Sequence, residues 1–494
     1  MTTLLLEKNQ IPEEIEKISK TLKNKGFSAY LVGGCVRDIL IGREPKDWDF
    51  TTNASPEQIQ ELFEETFYEN DFGTVGVVLE NVSRETLKVI EITPYRKETG
   101  YTDNRRPDSV EFGVSLEEDL ARRDFTINAI ALDPKTGEVI DPYAGIQDIN
   151  KRILRAVGVA KERFNEDGLR ILRAVRLATE LHFEIEDVSR ETIQKSASIL
   201  QNIAKERIRD EFTRIILSDK PFYGLSVLRE LGLIKYIIPD LEESFGVAQN
   251  QAHSYDVWEH IIRTVQASAD KKYSLEIRLA ALFHDIGKPH TRALDTKKDD
   301  WSFHGHEVVG ATVSHETLTN LHYPNEVIKK VRKLVRWHMF FSDTEEITLS
   351  AVRRLISNVG KENVDDLMKL RVCDRIGTGR PKEQPYRFRK YKSMIAEVSR
   401  DPVSVSMLAI DGSDIMDVSH ETPSPRLGWI LHALLEEVLD DPKKNTPEYL
   451  KNRSIELSKL DDAELKKLGE KGKNTQEEAE ERELQKIRKK FHVK

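Results

Sequence analysis

Two cysteines, Cys35 and Cys373, are too few to staple a chain of 494 residues, so a disulfide framework is excluded and a reducing compartment is expected. No run approaches the about 20 consecutive apolar residues of a membrane-spanning helix. The segment Met1 to Gln10 has neither a basic start nor a small-residue cleavage site, so no secretion signal is read there and a cytoplasmic location is expected. Aromatics are scarce, at 7%, whereas charged residues make up 33% and mean hydropathy is −0.52. That balance describes a soluble, helix-rich chain long enough for several cores. Positive charge is also in short supply, with a formal net charge of −9. A polyanion partner is not thereby excluded, because binding needs a basic face rather than a basic average. Between Lys151 and Lys235 basic residues outnumber acidic ones, and many are arginines.

Ile11, Ile15, Ile18 and Leu22 recur at helical spacing between Pro12 and Gly26. Short apolar runs at Ala29–Val32, Trp48–Thr51, Val75–Leu79 and Leu87–Thr93 read as strands, giving a mixed module up to about Asp141. From Lys161 onward the pattern is almost wholly helical. The expected division is a head over 1–155, a helical neck and RNA-binding region over 156–245, a metal-binding helical domain over 246–400 and a helical tail over 401–494. The lysine- and glutamate-dense stretch Leu460 to Lys494 reads as a solvated helix or a frayed end and is given no function.

Chemistry enters at Asp47-Trp48-Asp49. On a strand the side chains alternate, so both carboxylates face one way and Trp48 faces the core. Two carboxylates on one rigid face suit a pair of Mg²⁺ ions, one to activate an attacking hydroxyl and one to bind a triphosphate. An Asp-x-Asp alone is more often a solvated turn, and it is the surrounding motifs that favour the metal reading. Just upstream, Gly33-Gly34-Cys35-Val36-Arg37-Asp38 joins a strand to a helix. Glycines admit phosphate close to backbone N–H groups, the helix start favours anions, and Arg37 adds a guanidinium. Arg122-Arg123-Asp124-Phe125-Thr126-Ile127-Asn128-Ala129 sets two arginines beside an apolar element, as a triphosphate or structural clamp. Glu91 interrupts the run Val89–Ile92 as a third candidate acid and is left outside the expected set.

In this order, followed by Glu166-Asp167-Gly168-Leu169-Arg170, these motifs resemble the class II tRNA nucleotidyltransferases and bacterial poly(A) polymerases of the polymerase-β-like superfamily. The resemblance is specific through about Ala178. It implies an α+β fold, with a nucleotidyltransferase head followed by an all-helical neck, an HD-type module and a tail. It implies that Asp47 and Asp49 hold the catalytic Mg²⁺ and that Gly34, Arg37 and Arg123 contact the incoming nucleotide, with Arg173 and Arg176 nearby. The partners it implies are tRNA, CTP and ATP, with neither DNA nor a membrane. Asp167 and Arg170, three apart on a helix, would share a face. A carboxylate accepts from an exocyclic amino group and a guanidinium donates to a ring acceptor, so the pair reads a base edge as another base would. Cytosine and adenine both carry the amino group. The polar, glycine-containing segment Lys97 to Pro107 reads as a mobile loop. In CCA-adding members a loop here assists the change from C to A addition, and its presence argues against a CC-only enzyme.

Nine of the 13 histidines fall between His253 and His338. His284-Asp285 ends an apolar helix, with His260 upstream and His306, His338 and Asp374 downstream. Imidazoles and carboxylates gathered from successive helices suit a divalent transition metal or Mg²⁺. The order resembles the HD superfamily of metal-dependent phosphohydrolases, which implies His260, His284, Asp285 and Asp374 as ligands. Three functions compete, of which the first is the expected one and the intact Asp47/Asp49 pair with Arg37 disfavours the third. These are CCA addition to tRNA, poly(A) or A addition by the same family, and an HD phosphohydrolase with an RNA-binding head.

Overall fold

Burial of Ile15, Ile18 and Leu22 along one face sets the first helix, Glu13–Asn24, against the head, as the helical spacing requires. The computed structural model describes residues 2–3, 11–68, 73–80, 82–100, 109–250, 254–296, 299–340, 347–379 and 383–469. It divides into two units, Met1–Ile237 and Ile238–Lys494. No helix among the described residues is long and apolar enough to cross a membrane.

In the first unit the strands are β1 (Thr2–Thr3), β2 (Tyr30–Val32), β3 (Asp49–Thr52), β4 (Thr66–Tyr68), β5 (Val75–Val78), β6 (Val89–Pro94), β7 (Arg96–Thr99), β8 (Ser109–Phe112), β9 (Ala131–Leu132) and β10 (Glu138–Ile140). Eight of them form one sheet in the order β1-β10-β9-β2-β3-β6-β5-β4, and β7 and β8 form a separate antiparallel hairpin. Within the large sheet β3 and β6 run parallel, with Asp49 opposite Glu91 and Phe50 opposite Ile92. Phe50, Ile90 and Ile92 are fully buried, so their face is the core face and Asp49 and Glu91 share the other. The segment expected as a loop from Lys97 is in part this hairpin, because backbone pairing with Ser109–Phe112 draws Lys97–Thr99 into a strand. Residues 101–107 of that segment lie outside the described residues.

Beyond the sheet come the helices Ala160–Glu166, Leu169–Leu181 and Lys205–Leu217. The second unit is helical apart from a hairpin, Ala293–Asp295 with Asp300–Ser302, among its described residues. The helices Val257–Asp270, Leu275–Phe283, His306–Asn320, Asn325–Trp337 and Val364–Gly377 gather around the histidine-rich region. A Cβ on Gly287 would lie 2.3 Å from the His306 carbonyl oxygen, so only glycine lets the chain after Asp285 approach the His306 helix this closely. Of the charged end of the chain, Asp462–Gly469 is a helix with Leu465 buried, and 470–494 lie outside the described residues.

Candidate functional site

Gly33 has a positive φ of 76°, a conformation open to glycine, and it aims the start of the Gly34–Leu40 helix at the end of β3. The two carboxylates meet this turn. A Cβ on Gly33 would lie 3.3 Å from Asp49 Oδ2 and 3.2 Å from Arg123 Nη1, and one on Gly34 would lie 3.5 Å from Asp47 Oδ1. Trp48 between them is buried. The strand begins at Asp49 rather than Trp48, so Asp47 sits on the approach to it.

Burial and the neighbouring charges of Asp47 and Glu91 push the Asp49 carboxyl up to about 7, against the opposing pull of Arg123. Asp47 and Glu91 thus crowd Asp49 with more negative charge than Arg123 offsets. The Arg123 Nε is buried and has no hydrogen-bond partner among the described residues. Its guanidinium lies 3.7 Å from Asp119, a buried carboxylate that also accepts from Arg122 at 2.8 Å and from the Thr51 hydroxyl at 3.1 Å. Arg37 is locked in place, donating to Asp38 at 2.7 Å and to Asn128 Oδ1 at 2.9 Å.

Asn128 in turn donates to Asp124 at 3.1 Å, and Asp124 accepts from Arg173 at 2.7 and 2.9 Å. Burial raises the cost of charge on Asp124, but Arg173 and Asn128 outweigh it and hold its carboxyl below the usual range. Arg173 is therefore joined to Arg37 through two side chains. Arg176 is buried, bonded to Glu180 at 2.8 Å and to Glu211 at 2.5 Å.

Asp167 and Arg170 do not share one continuous helix. The first helix stops at Glu166, Asp167 is extended (φ −136°, ψ 104°), and the next helix starts at Leu169, whose N–H donates to Asp167 Oδ1 at 3.0 Å. The Asp167 carboxylate does not meet Arg170. It is held by both Nη atoms of Arg207, at 3.3 and 2.8 Å, from the Lys205–Leu217 helix. Arg170 donates to Glu166 at 2.6 Å and to the carbonyls of Arg163 and Arg122 at 3.1 and 3.0 Å. A carboxylate has about four lone-pair sites and a guanidinium five donors, so each keeps capacity for a ligand. Helical periodicity alone does not reveal the break, and Arg207 carried no signal in the sequence.

The second unit has its own cluster. His260 Nε2 lies 3.0 Å from His284 Nε2, 3.0 Å from Asp285 Oδ2 and 3.3 Å from Asp374 Oδ1. All four expected ligands therefore meet. Burial lowers the His260 pKa, yet Asp285 and Asp374 overcome it and hold the ring at about 9. His306 and His338 reach the other oxygen of Asp285, at 3.2 and 3.6 Å. Asp285 also accepts from Lys288 at 2.6 Å.

Three family descriptions match the chain: the poly A polymerase head domain over 29–155, the probable RNA and SrmB-binding site of polymerase A over 182–245, and the HD domain over 257–378. A CCA-adding enzyme of Lactococcus lactis is 46% identical over 239 residues, 48% of this chain and 59% of that enzyme, so the match spans little more than half of it. A CCA-adding enzyme of Lactiplantibacillus plantarum is 32% identical over 437 residues, 87% of this chain and 93% of that enzyme. The crystal structure of the Bacillus stearothermophilus CCA-adding enzyme in complex with CTP superposes with a TM-score of 0.68 at 28% identity, covering 91% of this chain and 98% of the other.

Proposed function

This chain belongs to the family of CCA-adding enzymes, and on that footing we propose that it transfers CMP, CMP and AMP in turn from CTP and ATP to the 3′ end of tRNA. The observation that carries the reading is the convergence of Asp47 and Asp49 on the Gly33-Gly34 turn, with Glu91 in register beside them. Like charge crowded around Asp49 is what a divalent cation relieves, so the donor set fits Mg²⁺ held by Asp47 and Asp49. Such ions, when bound, activate the attacking hydroxyl and offset charge on the triphosphate. The chain's own groups do the rest. The glycine turn admits phosphate oxygens to backbone N–H groups at Gly34, and Arg123 offers its Nε to the same region. Arg37, fixed by Asp38 and Asn128, orients the nucleotide.

Asp167 and Arg170 read the base edge, the first accepting from the amino group of cytosine or adenine and the second donating to the ring. Arg173 and Arg176 support them through Asp124 and Glu211. In the second unit, His260, His284 and Asp285 lie close enough to share an ion, and with Asp374, 3.3 Å from His260, they hold a divalent transition metal or Mg²⁺. The neck and the region over 182–245 meet the tRNA, and the enzyme works in the cytoplasm.

The test is a tRNA ending at its discriminator base, incubated with CTP and ATP singly and together, with products sequenced. The expected product gains C, C and A and then stops. Long A tails made without CTP would assign the chain to poly(A) synthesis instead.

Base reading has a separate expected signature. Asp167→Ala removes the acceptor for the 4-amino group of cytosine and the 6-amino group of adenine, where uracil and guanine present a carbonyl oxygen instead, at a cost of roughly 1–3 kcal/mol. Preference for CTP and ATP over UTP and GTP should fall about 5- to 150-fold, with metal-dependent turnover retained. Arg207→Ala should lower the same preference by less, because it frees the carboxylate without deleting it. The readout is kcat/KM for all four nucleotides on a tRNA awaiting its first C. Equal losses for all four would move base choice to other residues.

A further inference from the structure

A row of four residues crosses the large sheet from Asp49 to its edge. Asp49 on β3 stands opposite Glu91 on β6, Glu91 opposite Gly76 on β5, and Gly76 opposite Phe67 on the edge strand β4. Residues directly opposite one another share a face of a sheet, so Phe67 is on the face of Asp49 and Glu91. Their neighbours Val75, Val77, Ile90 and Ile92 are buried on the other face. Gly76 lets the Phe67 ring lean inward along the row. A Cβ on Gly76 would lie 2.5 Å from Phe67 Cζ and 2.7 Å from its Cε1, so any other residue there would push the ring aside. Strands are about 4.8 Å apart, so a ring over Gly76 stands about two spacings, or about 10 Å, from Asp49. Phe67 is still 39% exposed, and Val89, two residues from Glu91 on the same face, is 41% exposed. A ring that served only to cover the glycine would explain the contact. It would not explain two large apolar side chains left open on the face that carries the chemistry, which marks a contact surface.

We propose that Phe67 is a stacking platform for a base of the RNA 3′ end, close behind the hydroxyl that Asp47 and Asp49 serve. This rests on the reading of the chain as a nucleotidyltransferase acting on tRNA. The ligand class follows from what a growing end requires. The base behind the reacting hydroxyl changes at each addition, from the discriminator base to C and then to C again. Hydrogen bonds to a base edge would suit one of these stages and penalise the others. A ring face suits them all, because every base has a π-face, and unpaired RNA bases are held by stacking on aromatic side chains. Phenylalanine has no polar atom with which to discriminate. Phe67 is thus a positioning residue that holds the single strand at every round and leaves base choice to the nucleotide site.

The experiment uses the full-length chain and tRNAs whose last, second-last or third-last nucleotide is 2-aminopurine, a base whose fluorescence is quenched by stacking. One of these positions should be dimmer on the unaltered chain than on Phe67→Leu, which keeps an apolar cover over Gly76 but has no ring. The same variant should raise the KM for tRNA about 10-fold, the weight of one base–aromatic stack, with the KM for CTP at saturating tRNA changed by less than about twofold. Phe67→Tyr, which keeps the ring, should recover both readings. An abasic nucleotide at the dimmed position should cost the unaltered chain about what Phe67→Leu costs, and should cost that variant nothing further. Equal fluorescence on the two proteins at every position, or a rise in the KM for CTP instead of that for tRNA, would overturn the platform. A chain that adds no nucleotide to tRNA would overturn the functional reading, and the fluorescence would still decide whether Phe67 stacks on RNA. If Phe67→Leu fails to fold, Phe67→Met takes its place, and failure of every tRNA to dim on the unaltered chain overturns the platform without any variant.

Discussion

Replacing Asp49 with alanine is expected to cut nucleotide addition at least about 100-fold while leaving the fold no less stable. The two effects have one cause. Asp49 is crowded by Asp47 and Glu91, and its carboxyl titrates at about 7 instead of the usual 3.8. A carboxylate whose folded pKa is raised weakens the native state as it ionises. In the metal-free protein its cost is absent below about pH 4, grows through the window up to about 7 and is complete above it. Asp49→Ala deletes that cost. At pH 8 without divalent ions, its melting temperature should match or exceed that of the unaltered chain, and tRNA binding should persist. A variant that unfolds would give the opposite melting result. One that keeps near-normal incorporation would remove Asp49 from the centre of the mechanism.

Asp124→Ala should act through stability as well as activity. The carboxylate accepts from the Phe125 N–H at 2.9 Å, from Asn128 and from Arg173, and its removal leaves three donors unmatched. Breaking a buried pair costs about 3–5 kcal/mol. The low end, about 3 kcal/mol, applies here because the Arg173 side chain is 38% exposed and water compensates it in part. For a unit of this size that corresponds to a fall in melting temperature of about 6–12 °C. Because the folded pKa is depressed, the contribution is present above the ordinary carboxylate range and is lost as pH falls through the folded value. The difference between the two proteins should therefore be full at pH 7 and shrink in strong acid. Loss of Asn128 orientation frees Arg37, so nucleotide affinity should fall at temperatures where the variant remains folded. A shift below 2 °C would show that Asp124 is not the pivot of this network.

Asp47, Asp49 and the Gly33-Gly34 turn were legible because their geometry is local: a strand, a turn and a helix start within seventeen residues. Glu91 was visible only as an interruption, since its place beside Asp49 depends on a parallel register between two distant strands. His306 and His338 belong to the histidine series visible in the sequence, but which oxygen of Asp285 they meet depends on the close approach at Gly287. Arg207 could not be found at all, because a salt bridge spanning forty residues leaves no periodic trace. The break at Asp167 escaped for a related reason. Helical spacing runs on across it, and a side chain–backbone bond to Leu169 ends one helix and begins the next.

The Lys205–Leu217 helix grips its neighbour twice, through Arg207 on Asp167 and Glu211 on Arg176. Substitutions at these four positions will not add. Contacting pairs of this kind carry interaction energies of about 0.5–3 kcal/mol in double-mutant cycles, so a change on one helix is judged against the state of the other. On the proposed reading of Asp167 as a base-reading residue, nucleotide choice then depends on the contact between these segments and not on a pair of residues. An enzyme redesigned to accept a third base must have both rebuilt together.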